Sequence, residues 1–276
     1  MNIVDTVESM LKSSPDQLPV FETALAMSSH RYPTLDVEIY TDMMHKFKCE
    51  LGERVGQSPN DTPFFVLNKY MFEELRFQPN VNDYYNPKNS CLSDVLSTRS
   101  GIPITLSLIY IELGRSIGMS LQGACYPGHF LVRYESAQGL SVIDVFDFGR
   151  SLTNQDLRNL LTRAGYREVS NSIIYSSIMP SSAKLILTRL LMNLKIIYDK
   201  QKLLDKSLII HNWIIALGLA EPSIFRDRGI IYQKENVYGF ALRDLERYLE
   251  LEENAKDFID IRERTVQLRQ LTSRLN

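Results

Sequence analysis

GIPITLSLIYIELGRSIGM (residues 101–119), GACYPGHFLVRY (123–134) and LSVIDVFDFG (140–149) follow one another closely in the chain. The first stretch reads as a buried helix. Gly101-Ile102-Pro103 breaks the preceding segment and starts it, since proline suits the first helical turn. Leu106, Ile109, Leu113 and Ile117 recur on one face, and Thr105 and Glu112 leave little polar surface. Gly118 is a C-cap candidate. Strands are expected at 120–125, 129–135 and 140–146, the last two joined by the short loop Glu135-Ser136-Ala137-Gln138-Gly139. His129 opens one arm of that hairpin and Asp144 lies near the end of the other. A turn near 136–139 puts them on nearly opposite rungs, close enough for their side chains to meet.

Upstream, residues 4–13 and 18–30 read as helices separated by Ser14-Pro15-Asp16. A longer helix is expected over 35–54, where Leu35, Ile39, Met43 and Phe47 recur every fourth residue. Asp61-Thr62-Pro63 is a helix start for the run Phe64 to Leu75. Residues 76–89, rich in Asn and Pro, read as loop. Ser90 is expected to cap a short helix over CLSDVLST. A helix at 153–164 and an irregular stretch at 165–180 follow. Met179-Pro180-Ser181 is taken as the domain boundary, dividing the chain into 1–180 and 181–276.

Beyond 181 the pattern is helical throughout. Shifting the tail against itself pairs Ile197 with Ile231, Tyr198 with Tyr232, Ser207 with Ala241, Leu208 with Leu242 and Leu217 with Leu251. That is a period of about 34 residues, the tetratricopeptide spacing. Two helical pairs are expected (185–219 and 223–253), then a capping helix over 257–274. Ser207 and Ala241 are the small positions where paired helices approach. Trp213, flanked at helical spacing by Ile209, Ile210, Ile214 and Leu217, reads as core. The fold class expected is α+β, with a small antiparallel sheet, followed by an all-α tail.

Composition narrows the function. The 276 residues are 44% hydrophobic and 23% charged, with a net charge of −2. This is an ordinary balance for a globular chain with a sizeable core, and no global field favours nucleic acid or anionic membrane. No signal peptide or membrane-spanning run is read. Cys49, Cys91 and Cys125 are odd in number and form no disulfide framework, which suits a reducing cytoplasm. His30, His45, His129 and His211 stand far apart, and no HExxH or phosphate-binding glycine loop occurs, so neither metal nor cofactor is expected.

Four pieces together, DYYNPKNSCLSDVL (83–96), RSGIPITLSLIY (99–110), YPGHFLVR (126–133) and FRDRGIIY…ALRDLERYL (225–249), resemble the bacterial SirB-type family. Its members join a transglutaminase-like domain to tetratricopeptide-like helices, and the resemblance covers roughly residues 60–252. It implies a papain-like core and a helical tail, without a firm biochemical activity. Transglutaminase-like enzymes place a cysteine at the N-terminus of the central helix, where the helix dipole supports the thiolate. A histidine on a strand is the base, and an aspartate on the next strand orients it. Their local pattern is G-x-C. Here Gly101-Ile102-Pro103 stands in that place, and proline carries no nucleophilic atom.

His129 and Asp144 are therefore read in two ways. They are a pair inherited from an enzyme, or a buried histidine satisfied by a carboxylate that holds the hairpin. Cys91, Cys125, Thr105 and Ser107 are the other nucleophile candidates, each also readable as a small buried residue. Asn82, Asp83 and Asn89 are candidates for Asx turns or for lining a groove beside His129. Arg226, Asp227 and Arg228 are expected to bond between helices, or to offer a peptide-binding face. The favoured function is a non-catalytic transglutaminase-like protein, a pseudoenzyme that contacts a protein or peptide partner through its helical repeats. The alternative is a hydrolase or acyltransferase of altered mechanism built on His129 and Asp144. A weaker third reading is a regulator of gene expression acting through a partner.

Overall fold

The structure is a computed structural model that describes residues 3–11, 18–136 and 139–275. The Ser14-Pro15-Asp16 break, residues 12 and 13 of the first expected helix, and Ala137-Gln138 at the hairpin tip lie outside the described residues. The architecture is α+β. The chain divides into two compact units, residues 1–193 and 194–276.

The first unit opens with helices α1 (Ile3–Leu11), α2 (Val20–Met27) and α3 (Val37–Gln57). The Asp36 side chain accepts from Glu38 N–H and caps α3. The buried face of α3 is Met44, Phe47 and Leu51, whereas Ile39 is 57% exposed. A repeat of four drifts around a helix of 3.6 residues per turn, which carries Ile39 off the stripe. Thr62 caps α4 (Pro63–Asn68), and the next turn, Lys69–Glu74, widens into a π-helix. The expected loop at 76–89 contains a two-residue strand, β1 (Gln78–Pro79), paired in parallel with β2 (Ser100–Gly101). Between them lie a 3-10 turn, Pro87–Ser90, and α5 (Leu92–Thr98). Cys91, not Ser90, holds the N-cap position of α5, because Ser90 closes the 3-10 turn.

Helix α6 (Pro103–Ser116) is the centre of this unit. Every residue from Pro103 to Gly114 is buried except Glu112, which is partly buried and pairs with Lys48 at 2.8 Å. A helix apolar on all sides belongs inside a core. Its first turn is tied down by Thr105, whose Oγ1 accepts from Ile102 N–H at 3.1 Å and donates to the Asn89 carbonyl at 2.8 Å. Gly118 follows the helix end with a φ of 80°, the left-handed geometry expected of it.

Four antiparallel strands follow in the order β3 (Ser120–Ala124), β4 (Leu131–Ser136), β5 (Gly139–Asp144) and β6 (Arg150–Ser151). Val132 pairs with Ile143 and Tyr134 with Ser141. Tyr126, Leu131 and Val142 pack with Leu157 and Leu161 of α7 (Asn154–Arg163) and Ile174 of α8 (Asn171–Ser177). Helix α8 lies within the stretch expected to be irregular; its N-cap is Ser170, which accepts from Ile173 N–H. Helix α9 (Ala183–Gln201) begins beyond the expected boundary at 180, yet the first unit extends to Asn193. The chain entering α9 is bonded to the sheet, with Ser181 N–H donating to the Gly123 carbonyl at 2.9 Å. Ile186, Leu187 and Leu190 of its first turns are buried.

The second unit contains the rest of α9, then α10 (Leu204–Ala216), α11 (Pro222–Lys234), α12 (Tyr238–Leu251) and α13 (Phe258–Leu275). These are the two helical pairs and the terminal helix that the period of the tail predicts. Ser207, Ala241 and Trp213 are fully buried, as their spacing implies.

Candidate functional site

His129 does not open the strand but stands in the turn before β4. Gly128, at a φ of 70°, reverses the chain, and His129 N–H donates back to the Tyr126 carbonyl at 2.9 Å. Asp144 ends β5, short of the expected strand end at 146. Its Oδ1 accepts from Phe146 N–H at 3.0 Å and starts a 3-10 turn over Val145–Asp147. The two side chains meet: His129 Nε2 lies 2.9 Å from Asp144 Oδ2. A carboxylate only accepts, so Nε2 carries a proton, and in that neutral tautomer the ring's lone pair is at Nδ1. Among the described residues Nδ1 has no partner. Both side chains are mostly covered, at 13% and 11% exposure. Phe146 packs edge-on against the His129 ring with centroids 6.3 Å apart, and Tyr84 packs edge-on against Phe146 at 6.1 Å.

Pro103 lines the same cavity as His129. The other walls are Tyr84, Ile104, Phe130, Arg189 and Asn193, and the space is about 10 Å³, room for about one water-sized group. Proline at the first position of α6 and histidine before β4 thus face one small cavity. Tyr84, Arg189 and Asn193 are the residues that sequence reasoning missed. Arg189 and Asn193 are one helical turn apart on α9, in the segment assigned by sequence to the tail, where no motif marks them. Burial pushes the Tyr84 hydroxyl up, against the opposing pull of the Arg189 guanidinium.

None of the other nucleophile candidates lines this cavity. Cys125 borders a different space of about 320 Å³ with Met179, Pro180 and Ser181, and burial pushes its thiol up. Cys91 is buried and its thiol donates to the Pro87 carbonyl at 3.5 Å. Thr105 is spent on backbone bonds to Ile102 and Asn89, and the Ser107 hydroxyl is sealed in the core. Cys49, exposed on α3, lies 3.6 Å from His45 Nε2 one turn earlier, a thiol–imidazole contact remote from α6 in sequence and not anticipated. Asp83 and Asn89 build the loop before α5: Asn89 Nδ2 donates to the Asp83 and Tyr84 carbonyls, and Asn86 Nδ2 donates to Asp83 Oδ2. Asn82 is exposed.

In the helical unit, Arg228 donates to both oxygens of Asp244 on α12 and, at 2.7 Å, to Asn212 on α10. Arg226 reaches Asp257 at 3.1 Å. Arg228, and Asp227 through Lys195, bond between helices, the first of the two expected roles, while Arg226 bonds to the loop before α13. The unit also gathers side chains that sequence spacing could not join, namely Asp199, His211 and Asp227, whose donor atoms lie within 4.8 Å of one another. Lys195 supplies the cation there, donating to Asp199 at 2.8 Å and to Asp227 at 2.7 Å. Burial works against its charge, yet the two carboxylates outweigh burial and hold the ammonium above its ordinary value. Burial pushes the His211 imidazole down, which keeps it neutral.

Residues 38–192 match the transglutaminase-like superfamily, and residues 194–266 match the tetratricopeptide repeat. The chain belongs to the transglutaminase-like superfamily. Within it, the chain is similar to two UPF0162 proteins of Xylella fastidiosa. It is 33% identical to that of strain Temecula1 over 238 residues (86% of this chain, 85% of the relative). It is also 33% identical to that of strain 9a5c over 245 residues (88% and 87%). These are relatives of the SirB type, as the four quoted pieces implied. A 105-residue segment is 34% identical to part of the human F-box only protein 21, covering 35% of this chain and 17% of that protein. No solved structure gives a significant match. The superfamily match ends within α9, next to the division between the compact units. Among the described residues, no helix of this transglutaminase-like protein is long and apolar enough to cross a membrane.

Proposed function

We propose that this chain is a non-catalytic transglutaminase-like protein that acts as an interaction or regulatory scaffold. The observation that carries the reading is Pro103. It begins α6 and shares a cavity with His129, which Asp144 orients in the manner of a catalytic base. An acyl-transfer mechanism needs a nucleophile at hydrogen-bond reach of that base. A pyrrolidine ring has none, and the cysteines lie elsewhere. The tetratricopeptide helices support a protein or peptide partner, since stacked helical pairs form extended binding surfaces. The three free cysteines support a cytoplasmic location. The net charge of −2 supports a role without direct nucleic-acid contact.

One feature favours a second reading. With Nε2 held by Asp144, the Nδ1 lone pair of His129 is free to take a proton from water, which is what a hydrolase of altered mechanism requires. Purified protein assayed on ester, amide and glutamine donors decides between the two. The scaffold reading expects no turnover that differs between the wild type and His129→Ala. Turnover lost in His129→Ala would refute it. Affinity capture with the whole chain and with residues 1–193 tests the scaffold role: a partner retained only by the whole chain is the expected result.

A further inference from the structure

Arg189 stands apart from the other sheltered arginines. Among the described residues, Arg31, Arg99, Arg133, Arg158, Arg226 and Arg228 are each buried or half-buried. Each has a carboxylate, carboxamide or carbonyl partner. Arg189 is half-buried too, yet among the described residues no ion pair or hydrogen bond holds it. A guanidinium drawn out of water without an acceptor forgoes bonds that are among the stronger ones in proteins. Its surroundings repeat the pattern. Asn193, one turn along α9, has no hydrogen-bond partner among the described residues, and neither does the Tyr84 hydroxyl or His129 Nδ1. All four residues line one cavity with Pro103 and Ile104. Pro103 and Ile104 also bring the positive end of α6 to it, in a first turn already anchored by Thr105. The four groups offer a fork of guanidinium donors, a carboxamide, a hydroxyl and an imidazole nitrogen.

We propose that this cavity is an anion subsite that takes the carboxylate head of a ligand, with Arg189 as its principal partner. The space of about 10 Å³ admits about one ligand oxygen, which the carboxylate would present to Arg189 with its carbon and the rest of the ligand at the mouth. The guanidinium bonds either anion, but a carboxylate sets only one planar carbon behind that oxygen, whereas a phosphate sets a tetrahedral centre with three further oxygens, so the small space favours the carboxylate. The ligand's body would lie outside. This proposal rests on the reading that the cleft binds without reacting, and it names what the cleft binds.

The test uses the full chain with 15N-labelled arginine and histidine, titrated with sodium acetate at constant ionic strength. Acetamide and inorganic phosphate are the comparison probes. The expected result is a saturable shift of the Arg189 Nε–H and His129 ring signals with acetate. Arg189→Gln should weaken it about tenfold or more, as loss of a charged hydrogen bond does. Asn193→Asp, which brings a negative charge to the site, should abolish it, and it serves if Arg189→Gln unfolds. A linear, unsaturated response, an equal response to acetamide, tighter binding of phosphate, or saturation unchanged in both variants would each overturn the proposal. Ester turnover is followed in the same samples. His129-dependent turnover together with saturable acetate binding would sink the non-catalytic reading while leaving the subsite in place.

Discussion

Pro103→Cys asks whether the start of α6 still has the electrostatics of a nucleophile site. The substitution puts a thiol at the first position of a 14-residue helix, across a small cavity from His129 and Arg189. The ordinary thiol value is about 8.5, so about 3% is thiolate at pH 7. The helix terminus stabilises an anion by about 0.5–2 kcal/mol. A cation about 4 Å away adds up to about 4 kcal/mol at an intermediate dielectric. Burial of Pro103 opposes both. A net gain of about 3 kcal/mol corresponds to about two pK units. That would bring the introduced thiol to about 6.5 and make most of it thiolate at pH 7. Loss of the proline costs about 0.4–1 kcal/mol of stability through the unfolded chain, which the fold should survive. Thiolate absorbance near 240 nm, followed against pH and referenced to the wild type, reads the value without reagent access. Combining the change with His129→Ala should return part of the shift. A thiol titrating at or above 8.5, indifferent to His129, would refute the alignment of Pro103 with a nucleophile position.

Asp144→Ala removes the acceptor of Phe146 N–H as well as the His129 partner, so chemical denaturation should show a loss of about 1–3 kcal/mol; Asp144→Asn, which keeps an acceptor, should recover much of it. Gly149→Ala should cost about 2 kcal/mol or more in the same assay. The residue has a φ of 73°, and an added Cβ would fall 2.3 Å from Asn68 Oδ1, the acceptor of the Tyr110 hydroxyl. Lys195→Met leaves Asp199 and Asp227 facing each other without their shared cation, and thermal or urea unfolding should show a loss of about 3 kcal/mol. Burial raises the Asp227 carboxyl, but Lys195 and Arg226 outweigh it and hold the group below its ordinary range. The stability gained is whole above about pH 4, the unfolded carboxyl value, and is lost as pH falls through the lower folded value. Lys195→Met should shrink that acid-side loss, and an unchanged acid profile would count against the pairing.

Elements with a sustained period were legible from sequence. Helix α6 shows as an apolar run between Pro103 and Gly118, the tail as a repeat, and β4–β5 as two strands around a short loop. The misses share one cause. The two-residue bridges of β1 and β2 have no periodicity to read, being held by hydrogen bonds to a distant partner. The stretch at 165–180 hides the seven-residue α8, whose apolar positions matter only because α7 and the sheet cover them. The strand expected from His129 begins two residues later, at Leu131, because the Tyr126-to-His129 bond that closes the turn is a backbone feature no side chain announces.

By itself, the sequence determined the family, the α+β core with its helical tail, the approach of His129 to Asp144, and Pro103 at the start of α6. Each depends on residue type and on spacings of a few to some thirty residues, which short-range geometry translates directly. Tertiary structure alone decided what faces Pro103. Tyr84, Arg189 and Asn193 come from a loop before α5 and from a helix beyond the sheet. Only packing brings them to one cavity, where among the described residues Arg189 has no partner. The same holds for Lys195, Asp199, His211 and Asp227, which helix stacking joins across three helices.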